Sequence, residues 1–181
     1  MGGYAHLTIR QDGTYSFSGH FQGSPRPNNE ARQASREFLE ELERAIVRKK
    51  YAAETGTRLN RLTFACRAAL DGPVTGIERH GGHFEALWLS ELTDFCREHC
   101  GGGLLFQYAS ETLEDVARFV TSRDQTVTYF GLDAEQIRAF SEQAGSRGVD
   151  HIVPIGQALR FDRYWDGYDL FLELTRQVRV V

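Results

Sequence analysis

Thr126-Val127-Thr128-Tyr129-Phe130, then Ile137, Phe140 and Ala144 ahead of Gly145 and Gly148, then His151-Ile152-Val153-Pro154-Ile155: the reading of this stretch decides the fold. The two outer runs are short, apolar and rich in β-branched and aromatic residues, as strands are, while the middle repeats with the period of a helix. A strand, a helix and a strand in this order make a crossover between parallel strands, so a sheet that is at least partly parallel is expected. Strands of such a sheet are covered on both faces, which predicts burial of Val127, Tyr129, Ile152, Val153 and Ile155.

The same alternation extends back to Pro73, with strands expected at Val74–Arg79, Phe84–Leu89 and Gly103–Tyr108, and a helical stripe of Leu113, Val116, Ala117 and Val120. Two longer helices precede them. From Glu30 to about Tyr51, Phe38, Leu42, Ala45 and Ile46 recur at helical spacing, and Arg48-Lys49-Lys50 suits the negative end of the helix dipole. From Arg58 to Leu70, Leu59, Leu62, Cys66 and Leu70 share one stripe that ends at Asp71-Gly72-Pro73, which predicts a buried Cys66. At the front, Tyr4–Arg10 and Thr14–Phe21 alternate around Asp12-Gly13, a tight-turn dipeptide, and this reads as a β-hairpin with Tyr15 and Phe17 on one face. A lone hairpin is marginal in water and must pack on something. Gly23-Ser24-Pro25-Arg26-Pro27-Asn28-Asn29 interrupts every pattern, so the chain divides into a hairpin and linker over 1–29 and an α/β domain over 30–181.

Composition narrows the function classes. The 181 residues are 41% hydrophobic and 25% charged, close to globular averages, which excludes wholesale disorder and a collagen-like or coiled-coil chain. Lys and Arg number 21 against 25 Asp and Glu, a net charge of -4 that argues against a nucleic-acid partner. No run approaches the ~20 apolar residues of a membrane span, and the N-terminus has no basic start followed by an apolar stretch. Three cysteines are odd in number and sparse for a disulfide scaffold, so a reducing cytoplasm is expected.

His80, His83, Cys96 and Cys100 could in principle form a tetrahedral metal site, but their spacing matches no standard zinc finger and Cys96 shares an apolar helical stripe with Leu92 and Phe95. Buried cysteine with exposed loop histidines is the more economical reading. Cys96-Arg97-Glu98-His99-Cys100 is also not the order of covalent haem attachment. Gly101-Gly102-Gly103 follows an expected helix and precedes a strand, the reverse of a phosphate loop, and is read as a helix C-cap. No Gly-x-Ser-x-Gly elbow occurs.

Gly148-Val149-Asp150-His151-Ile152-Val153-Pro154-Ile155-Gly156-Gln157-Ala158-Leu159, followed by Trp165-Asp166-Gly167-Tyr168-Asp169-Leu170, carries a resemblance. Together with Gln125-Thr126-Val127-Thr128-Tyr129-Phe130-Gly131, it resembles in order and spacing the C-terminal part of LuxC-type acyl-CoA reductases, a fatty acid reductase family of the aldehyde dehydrogenase superfamily. The resemblance is strong from about Cys96 onward, weak from Glu30 to Leu70 and absent in the hairpin. It implies a partial aldehyde-dehydrogenase-like catalytic-domain fold with an N-terminal β-hairpin, and reduction of fatty acyl-CoA to aldehyde by NADH or NADPH through a cysteine thioester. Gln125, Thr126, Gly156, Trp165, Asp166 and Gly167 are its candidate substrate-rim or signature positions. Read from the residues alone, Trp165-Asp166-Gly167 is a turn anchored by a buried indole.

The resemblance also implies what to look for elsewhere. In the family the nucleophilic cysteine precedes the helices matched by Glu30–Leu70, whereas here no cysteine precedes Cys66, and His151 stands where an arginine is expected. The family's cofactor-binding portion lies upstream, where only the hairpin stands, too short for a dinucleotide fold. No residue is therefore assigned a catalytic role, and no cofactor is expected on this chain alone, NAD(P)H being implied only by the resemblance. The expectation is an acyl-CoA reductase-like partial domain, inactive alone, that offers acyl-CoA a cleft wall or offers an assembly surface to a complementing reductase chain or a second copy. The alternative is a non-catalytic protein-interaction module and, less readily, a metal-binding protein.

Overall fold

The structure, a computed structural model, describes residues 3–10, 14–21, 29–97, 100–110, 112–121, 124–165, 167–176 and 178–180, with side chains from residue 31 onward except 96, 97 and 146. The elements run β1 (Gly3–Arg10), β2 (Thr14–Phe21), α1 (Asn29–Lys49), α2 (Thr55–Asp71), β3 (Val74–His80), β4 (Phe84–Leu89), β5 (Leu104–Ser110), α3 (Leu113–Phe119), β6 (Thr126–Phe130), α4 (Ala134–Ala144), β7 (His151–Pro154), β8 (Tyr164–Trp165), β9 (Tyr168–Asp169) and α5 (Leu170–Leu174). Short 3-10 turns lie at Asp94–Arg97 and Gly145–Arg147. Among the described residues no helix is long and apolar enough to cross a membrane.

The helices begin and end for local reasons. Asp133 closes a capping box with Gln136 at the start of α4, and the Thr112 hydroxyl accepts the Asp115 N–H at the start of α3. At the end of α1 Lys50 turns left-handed, and the Tyr51 N–H reaches back to the Ile46 carbonyl, which stops the helix while satisfying a terminal acceptor.

Seven strands form one mixed sheet in the order β3-β4-β5-β2-β1-β6-β7, and β8 pairs with β9 apart from it. The α/β class expected from Thr126–Ile155 holds: β6 and β7 are parallel with Val127 opposite Ile152, and α4 makes the crossover. Strands β4 and β5 are parallel as well. The hairpin, unmatched in the resemblance, takes the two positions between β5 and β6, with β2 parallel to β5 and β1 antiparallel to β6. Its turn at Asp12-Gly13, the linker 22–28 and the side chains of Tyr15 and Phe17 lie outside the described residues.

Alternation sorts the strand side chains onto two faces. Phe84, Ala86 and Leu105 pack against Leu39, Phe38, Leu42 and Ile46 of α1. On the other face Leu87, Leu89, Leu104 and Phe106 pack against Ala65 and Ala68 of α2, and Val127 meets Val116, Ala117, Phe140 and Ala144 of α3 and α4. Leu92 and Tyr108 touch both of these last clusters, so α2, α3 and α4 form one layer.

Three expectations are corrected. Cys66 is exposed, and so are Leu59, Leu62 and Leu70, because α2 turns its Arg61, Ala65 and Ala68 stripe inward. Small alanines let the helix approach the sheet, and the buried arginine bonds to carbonyls there, so the larger leucines are left outside. Before Gly101 the described residues form a single 3-10 turn, Asp94–Arg97, where a helix was expected, and all three glycines have positive φ. Finally, Val127 is buried and Tyr129, Ile152 and Val153 are half-buried, but Ile155 is 39% exposed, since β7 ends at Pro154.

Candidate functional site

Strand β6 ends at Phe130 and β7 ends one residue before Ile155, so both deliver apolar side chains to the carboxyl edge of a parallel pair, where α/β sheets place their ligands. Beside that edge runs α1. α1 seats its Leu39 on β4 and β5, and a groove of about 850 Å³ is lined by α1 on one side and by the ends of β6 and β7 on the other. Among the described residues, Phe38, Leu42, Ala45, Phe130 and Ile155 form its apolar lining. Its rim holds Glu37, Glu40, Glu41, Arg44 and Arg48. Arg44 is already bonded to Glu41 at 2.6 Å and Glu40 at 3.3 Å, leaving Arg48, among the described residues, as the rim cation outside this pairing. An aromatic ring 67% exposed in such a lining is costly in water unless something covers it, and an aliphatic chain fits that need.

The positions marked by the resemblance divide between the two ends of β7. Gly156 has φ of 88° and lines the groove at the carboxyl end. At the other end the Gln125 carbonyl accepts the N–H groups of Asp150 and His151 at 2.9 and 3.0 Å, and Thr126 pairs with His151. Trp165 comes to the same place, its ring 6.3 Å from that of His151 and 5.5 Å from that of Phe161. Gly167, with φ of 80°, approaches Asp150 so closely that a Cβ there would lie 2.9 Å from the carboxylate. The turn reading of Trp165–Gly167 therefore holds, with the indole half-buried rather than fully so; Asp166 lies outside the described residues. Gln125, Thr126, Trp165 and Gly167 thus meet around Asp150 and His151, away from Gly156.

On both sides of this turn, from Leu159 to Val180, the chain carries uncovered apolar side chains. Leu159, Phe161, Tyr164, Tyr168, Phe171, Leu172, Leu174, Val178 and Val180 are each more than half exposed, and α5 has no buried residue. The arm holds its shape through Arg163, whose guanidinium grips both carboxylate oxygens of Asp169. This pairing holds the Asp169 carboxyl below its ordinary range, and Asp169 also accepts the Phe171 N–H to start α5.

Of the histidine and cysteine positions, His80 and Cys100 lie on opposite faces of the sheet. His80 stacks on Phe84 at 4.4 Å and faces Glu43 at 3.3 Å, on the α1 side of the sheet. Cys100 packs on the α2 side against the core of Leu87 and Phe106, and burial pushes its thiol pKa up. Among the described residues no three His, Cys, Asp or Glu side chains gather as a metal ion requires; the side chain of Cys96 and all of His99 lie outside them.

Arg61 and Glu85 escaped the sequence reading. Arg61 is 1% exposed and donates to the carbonyls of His83 at 2.9 Å, Gly102 at 2.5 Å and Gly82 at 2.8 Å, so one side chain ties the β3–β4 turn to the glycine loop before β5. Its Nε lies 3.7 Å from Glu85. The available signal was a carboxylate inside Phe84–Leu89, a strand buried at every position, since a charge in such a run needs a partner. Comparison of the chain with protein-family models, with curated proteins and with solved structures finds no match in any of the three.

Proposed function

We propose that these residues form the acyl-facing and assembly portion of an acyl-CoA reductase-like enzyme, with the thiol nucleophile and the nicotinamide site supplied from outside them. The observation that carries this reading is the apolar groove between α1 and the ends of β6 and β7, lined by Phe38, Leu42, Phe130 and Ile155 and reached by Gly156 of the resembling motif. This apolar lining suits a fatty acyl chain. The uncovered arm from Leu159 to Val180 supports the assembly half of the proposal, since exposed apolar surface of this extent marks a contact with another polypeptide.

The chemistry of Cys100 fits a non-catalytic share of the reaction. A thioester-forming nucleophile needs a thiolate stabilised by its surroundings, and burial does the opposite at Cys100. Purified protein supplied with a fatty acyl-CoA and NADH or NADPH is expected to give no aldehyde. Sustained turnover abolished by replacing one cysteine would overturn the proposal. Co-purification from the native source is expected to bring down a polypeptide that carries the nucleophile and a dinucleotide fold.

A second reading, a protein-interaction module without a substrate, is favoured by the arm alone. It predicts partner binding that is indifferent to substitutions in the groove.

A further inference from the structure

A second cleft, of about 530 Å³, opens on the α2 face beside the β3–β4 turn. In a chain of net charge -4 its described walls hold three arginines, Arg58, Arg61 and Arg79, against one carboxylate, Glu85, a charge of +2 among the described residues. Arg58 and Arg79 are exposed at the mouth, and Arg58 lies so close over Gly82 that a Cβ there would meet its Nη2 at 2.7 Å. Arg79 reaches Glu85 only at 3.9 Å. Thr55, the first residue of α2, lines the same cleft, and the N-cap Glu54 makes no side-chain bond to the helix, so the terminal N–H groups go uncapped.

Two buried polar atoms here have no hydrogen-bond partner: Oε2 of Glu85 and Nε of Arg61. Both residues are more than nine-tenths buried, and the nearest cations stand 3.7 and 3.9 Å from Oε1 of Glu85, beyond hydrogen-bond reach, so a donor entering the cleft beside this carboxylate is favoured at Oε1. Because Arg61 and Arg79 offset the charge of Glu85, the donor that fits is a neutral hydroxyl rather than an ammonium group. The mouth suits a dianion, since guanidinium forks and an uncapped helix start both match phosphate oxygens. A cleft of this volume exceeds a free phosphate, and Leu59 and Leu62 give it an apolar wall.

We propose that this cleft binds a small hydroxylated phosphate monoester, its phosphate held by Arg58 and Arg79 and a hydroxyl donating to Glu85. The inference is independent of the acyl-CoA reading, which concerns the opposite face of the sheet. Calorimetric titration of the full chain with glycerol 3-phosphate tests it. Saturable binding is expected, weaker for inorganic phosphate, which cannot span to Glu85, and weaker for glycerate, which keeps hydroxyls but carries one charge. The double variant Arg58→Ala/Arg79→Ala, at two exposed positions, is expected to weaken binding by roughly tenfold to a hundredfold without changing the melting temperature. No saturable binding, equal affinity for inorganic phosphate or for glycerate, or unchanged affinity in the double variant overturns the proposal.

Discussion

Arg61 illustrates how one side chain can organise three segments. Its removal leaves the Glu85 charge buried and the carbonyls of Gly82, His83 and Gly102 without their donor. Arg61→Ala is therefore expected to destabilise the fold by about 3–5 kcal/mol in urea unfolding. Replacing both partners, Arg61→Met with Glu85→Met, should recover only part of that loss, because the carbonyls stay unpaired; full recovery would show that the charge pair is all that matters. Cys100 gives a pH prediction. Its thiol pKa is raised in the folded protein, so the native state keeps a proton that the unfolded chain gives up first. That contribution is fully present below the ordinary thiol value of 9.0 and is lost as pH climbs through the folded one. Wild-type stability should fall above about pH 9 more steeply than that of Cys100→Ala, and parallel curves would remove this cause.

Among the elements, α2 and α4 show where periodicity informs and where it misleads. The capping box of Asp133 and Gln136 was available to α4, and Asp133→Ala is expected to cost about 1 kcal/mol in chemical denaturation. A value near zero would mean that α4 is held by Phe140 and Ala144 alone. For α2 the helix was legible but its orientation was not: hydrophobicity favoured the leucine stripe, whereas close packing of Ala65 and Ala68 and the hydrogen bonds of Arg61 decided the inward face. Leu70→Glu, on the outward side, should change stability by no more than about 0.5 kcal/mol. Strands and crossovers from Val74 onward were legible because alternation and turn residues are local. The seat of the hairpin between β5 and β6 was not, since local patterns say nothing of which strand a strand pairs with. The groove was half legible: Phe38 and Leu42 read as core, which they are against Leu39, Phe84 and Leu105, but no local pattern could show that they also line a groove with Phe130 and Ile155.

At the level of the whole molecule, one face of the sheet is covered by α2, α3 and α4, while the other leaves a groove beside α1 and the arm leaves a train of apolar side chains in water. Both invite occupants. Light scattering is expected to report association that grows with concentration, reduced by Phe171→Glu with Leu174→Glu; a monodisperse monomer over a wide range would leave the arm to a different polypeptide. The groove is tested most directly by titrating the purified chain with acyl-CoA esters of increasing chain length against free CoA. Affinity is predicted to rise with chain length, by about tenfold for every two methylenes that become buried, and to collapse in Phe130→Asp, a change at an exposed position that the fold tolerates. Equal affinity for palmitoyl-CoA, acetyl-CoA and free CoA, or palmitoyl-CoA binding untouched by Phe130→Asp, would contradict the account.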